Sequence, residues 1–148
     1  MAERFTKGMA RNMYYGGSFF TFLLLLGLTT DTMLELPKRD HRQNITESVA
    51  KGKELWEENN CIGCHSLMGE GAYFAPELAN VFDRRGAGDE KMFKSFMSGW
   101  MAAQPLQIPE RRKMPQFHLS DEEVNDLAEF LIWTSRIDDN EWPPNIEG

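Results

Sequence analysis

Hydrophobic and polar positions divide the chain into two stretches of different kind. From Asn12 to Thr30 run 19 residues without a charged side chain, and the middle, Phe19 to Leu28, is apolar apart from Thr21 and Gly27. As a helix this run rises about 28 Å, close to the roughly 30 Å of a bilayer's hydrocarbon core. The pattern predicts a membrane-spanning anchor over residues 13–30, preceded by a short N-terminus of residues 1–12. A buried core helix would carry a polar face, which the central stretch lacks. A cleaved signal peptide is the rival reading, but Thr29-Thr30-Asp31-Thr32-Met33 offers no small-residue cleavage site after Leu28.

Beyond the span the pattern changes. Leu36-Pro37 to Asn44 is polar with both charge signs, so residues 31–45 read as a linker. Residues 46–148 then show helical periodicity. In a helix over Thr46 to Asn59, Val49, Gly52, Lys53 and Trp56 share one face. An interior Gly costs about 1 kcal/mol against Ala, so Gly52 implies a close crossing by another helix. A middle helix over Asp89 to Met101 carries Met92, Phe93, Phe96, Met97 and Trp100 on an apolar side. Pro105, Pro109 and Pro115 then forbid a regular helix. Ser120-Asp121-Glu122-Glu123 is a capping box, opening a last helix that presents Val124, Leu127, Ala128 and Leu131. The expected fold is mainly α: one N-terminal transmembrane helix followed by a small all-α domain.

Charge sharpens the division. Residues 1–45 hold 6 Lys and Arg against 4 Asp and Glu, whereas residues 46–148 hold 10 against 19, net −9. An acidic domain excludes nucleic-acid binding and favours basic or membrane-bound partners. The flanks of the span do not orient it, because Arg4, Lys7 and Arg11 face Lys38, Arg39 and Arg42 in a tie.

The chemistry lies in Cys61-Ile62-Gly63-Cys64-His65, which uses both cysteines of the chain. C-x-x-C-H is the attachment signature of a c-type haem: Cys61 and Cys64 on one turn bond the two vinyl groups, and His65 meets the iron. A disulfide, a thioredoxin-like redox pair and half a zinc site are the alternatives; for zinc, His41 and His118 lack the usual paired spacing. Haem is attached covalently on the outer face of the bacterial inner membrane, which implies a cytoplasmic N-terminus and a periplasmic mono-haem cytochrome c domain. Roughly 110 residues after Pro37 make one small domain, for which a bound haem is a large apolar centre.

The sixth iron ligand is open to several residues. Three residues reach roughly 10 Å, too little for Met68 to round the porphyrin edge. Met92, Met97 and Met101 are explained by core packing. Met114, 49 residues after His65 in the Pro-rich loop and restricted by Pro115, is the better candidate, with His118 the alternative. A His and Met pair fills both axial positions and suits electron transfer. The carbonyl of Pro76 is expected to orient the His65 ring.

Four segments carry a resemblance: the haem motif with Gly69-Glu70-Gly71-Ala72-Tyr73-Phe74-Ala75-Pro76-Glu77-Leu78, then Arg111-Arg112-Lys113-Met114-Pro115-Gln116-Phe117-His118-Leu119-Ser120, and the terminal segments Phe5 to Arg11 and Trp142 to Asn145. Together they resemble the small cytochrome c subunit of bacterial nitric oxide reductase over nearly the whole chain. The resemblance implies a heterodimer with a large multi-span catalytic subunit, where haem b and non-haem iron reduce two NO to N2O. This chain would pass on electrons from a periplasmic cytochrome c or cupredoxin, and would not itself be catalytic. It further implies His65 and Met114 as axial ligands, Cys61 and Cys64 as thioether anchors, and a calcium at the subunit interface, contacted by the Gly71 carbonyl and Tyr73. A free membrane-tethered cytochrome c shuttle and the cytochrome c subunit of a terminal oxidase share every feature except the long string after the haem motif. A haem gas sensor would need an open iron position, against which Met114 argues.

Overall fold

In a computed structural model of the chain, which describes residues 5–110 and 112–140, the apolar run lies within one long helix, α1 (Lys7–Arg39). Arg111 and the closing Trp142 to Asn145 segment of the resemblance lie outside the described residues. None of the side chains of α1 is buried, and the helix is long and apolar enough to cross a membrane. Thr21, Thr30 and Thr32 turn their hydroxyls back onto the carbonyls of Gly17, Leu26 and Leu28, at 3.1, 2.8 and 2.8 Å. Their polar atoms are thereby satisfied within the helix, as an apolar solvent demands.

The helix also runs nine residues past the end of the apolar run, through the first part of the expected linker. Pro37 alone opposes this, and it falls in the last turn, where a single ladder bond is forfeited. Lys38 and Arg39 favour the helix C-terminus, and Lys38 pairs with Glu35 at 2.5 Å. The irregular connection is therefore Asp40 to Thr46, with a 3-10 turn at Arg42–Asn44. The chain divides into two compact units at Arg39 and Asp40, each described by itself.

The second unit is built on the crossing of α2 (Glu47–Glu58) and α5 (Asp121–Ser135). Thr46 caps α2 by accepting from the Val49 amide at 3.2 Å. Val49, Gly52 and Trp56 form its buried face, whereas Lys53 is exposed and pairs with Glu57, because a lysine at the flank keeps its ammonium in water. The capping box of α5 is formed, with Ser120 Oγ accepting from the Glu123 amide at 3.3 Å and the Ser120 amide donating to Glu123 Oε2 at 2.7 Å. Gly52 meets α5 at the crossing: a Cβ there would lie 2.0 Å from the Asp126 carbonyl oxygen and 2.7 Å from Phe130 Cβ.

Two further helices close the core. The short α3 (Val81–Gly86) buries Val81 and Phe82, and α4 (Glu90–Ala102), capped by Asp89 accepting from the Met92 amide at 2.7 Å, buries Phe93, Met97 and Met101. Met92 and Trp100 are 47 % and 39 % exposed, so the buried stripe of α4 is rotated from the expected side. Met101, one turn beyond Met97, lies on the inward line at i+4 spacing. A two-residue hairpin pairs β1 (Ser66–Leu67) with β2 (Glu70–Gly71), register Ser66 to Gly71 and Leu67 to Glu70. Its loop, Met68-Gly69, has positive φ at both residues, as a type I′ turn requires.

Candidate haem site

Helix α2 ends at Glu58 with Asn59 as its C-cap, and Asn60 adopts left-handed backbone, φ 51°, which turns the chain sharply into the motif. Cys61–Gly63 form a 3-10 turn rather than a turn of α-helix; the Cys61 carbonyl accepts from the amides of Cys64 at 3.1 Å and His65 at 2.9 Å. That turn brings both cysteines and His65 together. Burial pushes the Cys61 thiol up to about 11, while Cys64 is exposed.

The segment after the hairpin is fastened to the motif. The Ala72 amide donates to the Ile62 carbonyl at 3.0 Å, Ala75 to Cys64 at 2.8 Å and Leu78 to Ser66 at 3.0 Å. Gly71 is required here, with φ 110° and a Cβ position only 2.4 Å from the His65 carbonyl. The result is the expected contact: His65 Nδ1 donates to the Pro76 carbonyl at 2.7 Å. With Nδ1 carrying the proton, Nε2 is the free electron pair of a neutral ring. Burial lowers the His65 pKa against the opposing pull of the Pro76 bond, which also keeps the ring neutral. Glu77 is buried next to this contact, accepting from the amides of Met68 at 2.9 Å and Ala79 at 2.8 Å.

His65 opens onto a cavity of about 590 Å³, walled by Trp56 of α2, Met97 and Met101 of α4, Leu127 and Leu131 of α5, and Met114 from the loop before α5. Cys61, Pro76, Arg84 and Arg85 also reach it. Met114 is half-buried and reaches the wall from irregular chain. Met97 and Met101 are buried at 5 % exposure within the α4 stripe. Met68 and His118 are not on the wall: the first sits in the hairpin turn, and the second is exposed with φ 56°.

These residues fit a haem. The volume lies within the range of cofactor sites, and the walls are apolar with few polar groups. An imidazole nitrogen and a thioether sulfur are its expected iron donors, and two guanidinium groups can meet carboxylates. Arg84 donates to the Glu77 carbonyl, and burial lowers its pKa; Arg85 stands 5.7 Å from the centroid of the Phe96 ring.

Comparison with known proteins agrees with this geometry. The sequence model of the cytochrome c family matches residues 49–135. The chain is 64 % identical over 148 residues to the C subunit of nitric oxide reductase from Stutzerimonas stutzeri. It is 47 % identical to the C subunits of the same enzyme from Halomonas halodenitrificans and Paracoccus denitrificans over 150 and 151 residues, each match covering all of both chains. The chain belongs to the family of nitric oxide reductase C subunits. As a cytochrome c of this family it carries covalent haem c, an assignment that the C-x-x-C-H turn and the cavity support independently.

Two further residues singled out in the sequence lie on the surface. Gly71 and Tyr73 are exposed, Tyr73 at 71 %. Among the described residues no group of three or more His, Cys, Asp or Glu side chains converges on a metal position. Arg84 and Arg85 were not legible as site residues; in sequence they are an adjacent basic pair, and only the fold places them beside the cavity, with Glu77 buried next to Pro76.

Proposed function

We propose that this chain is the membrane-anchored, mono-haem electron-input subunit of a nitric oxide reductase. Residues 1–12 are cytoplasmic and residues 13–30 cross the inner membrane. Residues 31–45 connect to a periplasmic cytochrome c domain of residues 46–148. Supporting this, α1 has span length, no buried side chain and a helical extension nine residues past the apolar run to Arg39.

The observation that carries the reading is the meeting of His65 and Met114 at one apolar cavity beside the cysteine turn. On this reading Cys61 and Cys64 are the thioether anchors, and His65 and Met114 are the axial ligands. When bound, the haem supplies a one-electron iron couple. Pro76 holds the His65 ring, Arg84 and Arg85 would meet the propionate carboxylates, and the apolar walls would exclude water, which favours the less charged reduced state. Nitrogen and sulfur donors from this chain would hold the iron on both sides and leave NO no place to bind. Its reduction to N2O belongs to the large multi-span partner with haem b and non-haem iron, and the electrons come from a periplasmic cytochrome c or cupredoxin. Gly71 and Tyr73 are this chain's contribution to a calcium shared with that partner.

Native membranes test the assembly: the chain is expected to co-purify with a haem b subunit, and recovery as a free shuttle would contradict it. The ligand assignment is tested by the weak far-red absorption of sulfur bound to ferric haem. That band is expected in the wild type and lost in Met114→Ala; its survival in the variant would move the sulfur to Met97 or Met101.

A further inference from the structure

Met114 reaches the cavity from a stretch without regular secondary structure, so the bonds on either side of it decide how firmly its sulfur is held. Two residues after it, Gln116 Nε2 donates to the carbonyls of Met101 at 3.0 Å and Gln104 at 3.1 Å, tying that side to the end of α4. Two residues before it, Arg112 Nη1 donates to the Phe74 carbonyl, and the guanidinium carbon lies 4.4 Å from the Phe74 ring centroid. Phe74 belongs to the opposite side of the site. The next residue, Ala75, donates its amide to the Cys64 carbonyl at 2.8 Å, and Pro76 accepts from His65 Nδ1 at 2.7 Å. Lys113, by contrast, bonds back into its own loop, to Gln107 Oε1 at 2.7 Å.

We propose that Arg112 is a positioning residue that fastens the Met114 loop to the segment orienting His65, and so keeps the methionine sulfur at the metal. This rests on the assignment of Met114 as axial ligand. A planar guanidinium can donate to the carbonyl and stack on the ring at once, which a lysine ammonium cannot. Without Arg112 the loop keeps its Gln116 tie, so the expected defect is a swing of Met114 away from the cavity and not loss of the fold.

Imidazole is the probe, added to the oxidised, haem-loaded full chain in detergent while the far-red band is followed. Its apparent affinity rises with the fraction of molecules in which the sulfur has left. Arg112→Gln is expected to bind imidazole about tenfold more tightly than wild type, having lost a charged hydrogen bond and a stacked cation. Arg112→Lys keeps the charge but loses the stacked plane, so about threefold tighter binding is expected. Lys113→Gln, which removes a charge one residue from Met114, should match wild type. If Arg112→Gln fails to fold with haem, Phe74→Leu carries the test, with a rise of about threefold expected from the lost stacking. Wild-type affinity in Arg112→Gln, or in both Arg112→Lys and Phe74→Leu where Arg112→Gln does not fold, would overturn the proposal, as would an equal rise in Lys113→Gln, which would reduce the effect to charge. A wild type without the far-red band would instead remove the Met114 assignment, and the proposal with it.

Discussion

Gly52→Ala isolates the helix crossing on which the haem cavity stands. Judged on α2 alone, the change should stabilise, since Ala exceeds Gly by about 1 kcal/mol in a helix interior. The crossing reverses the sign. The new methyl would sit 2.0 Å from the Asp126 carbonyl oxygen, 2.6 Å from its carbon and 2.7 Å from Phe130 Cβ, where ordinary contact begins at 3.4 Å. Each obstacle is backbone or the root of a side chain, so no rotamer change relieves it. The helices must part by about an ångström or more, beyond the usual 1–3 kcal/mol of overpacking. Set against the propensity gain, the net loss is about 2 kcal/mol or more. For a domain of this size that lowers the unfolding temperature by about 8–16 °C. Because the Trp56 ring on α2 stands 6.3 Å from the His65 ring, the far-red band should weaken as well. Thermal unfolding of the haem-loaded chain by circular dichroism measures the first effect. A midpoint within about 2 °C of wild type, or above it, would falsify the close crossing.

Two other outcomes follow. Glu123 is held below its ordinary pKa of 4.5, first by the Ser120 amide and then by the Ser120 hydroxyl. Its contribution to stability is therefore full above the unfolded value and lost as pH falls through the folded one. Ser120→Ala should raise the Glu123 carboxyl titration seen by NMR only part of the way to normal, since the amide bond remains; no shift would deny the capping box. Electron transfer from a basic cytochrome c to the acidic domain, net −9 over residues 46–148, should slow as salt rises. A stopped-flow rate indifferent to ionic strength would place the donor on an uncharged surface.

What the sequence disclosed and what it hid differ in physical kind. The haem motif was legible because its chemistry lies in five contiguous residues, α2 and α4 because their apolar residues recur at helical spacing, and α5 because a capping box at Ser120 marks its start. Gly52 announced a close approach, which the Asp126 backbone supplies. The extension of α1 through Pro37 was not legible, since a proline in a last turn costs far less than one in a helix interior. Nor were α3 and the two-residue hairpin, which are too short for periodicity to register. Arg112 shows the deeper limit. Its partner Phe74 is 38 residues away, and nothing in either local sequence announces that they meet.

Purified full-length chain, loaded with haem and separated from any other subunit, can be mixed with reduced cytochrome c and then with NO at an electrode. Rapid reduction of the chain by the donor with no consumption of NO is the expected result, because on the proposed assignment His65 and Met114 would hold both free positions of the iron. Sustained NO consumption by the isolated chain would contradict the electron-relay reading and would require an iron that exchanges its methionine for substrate.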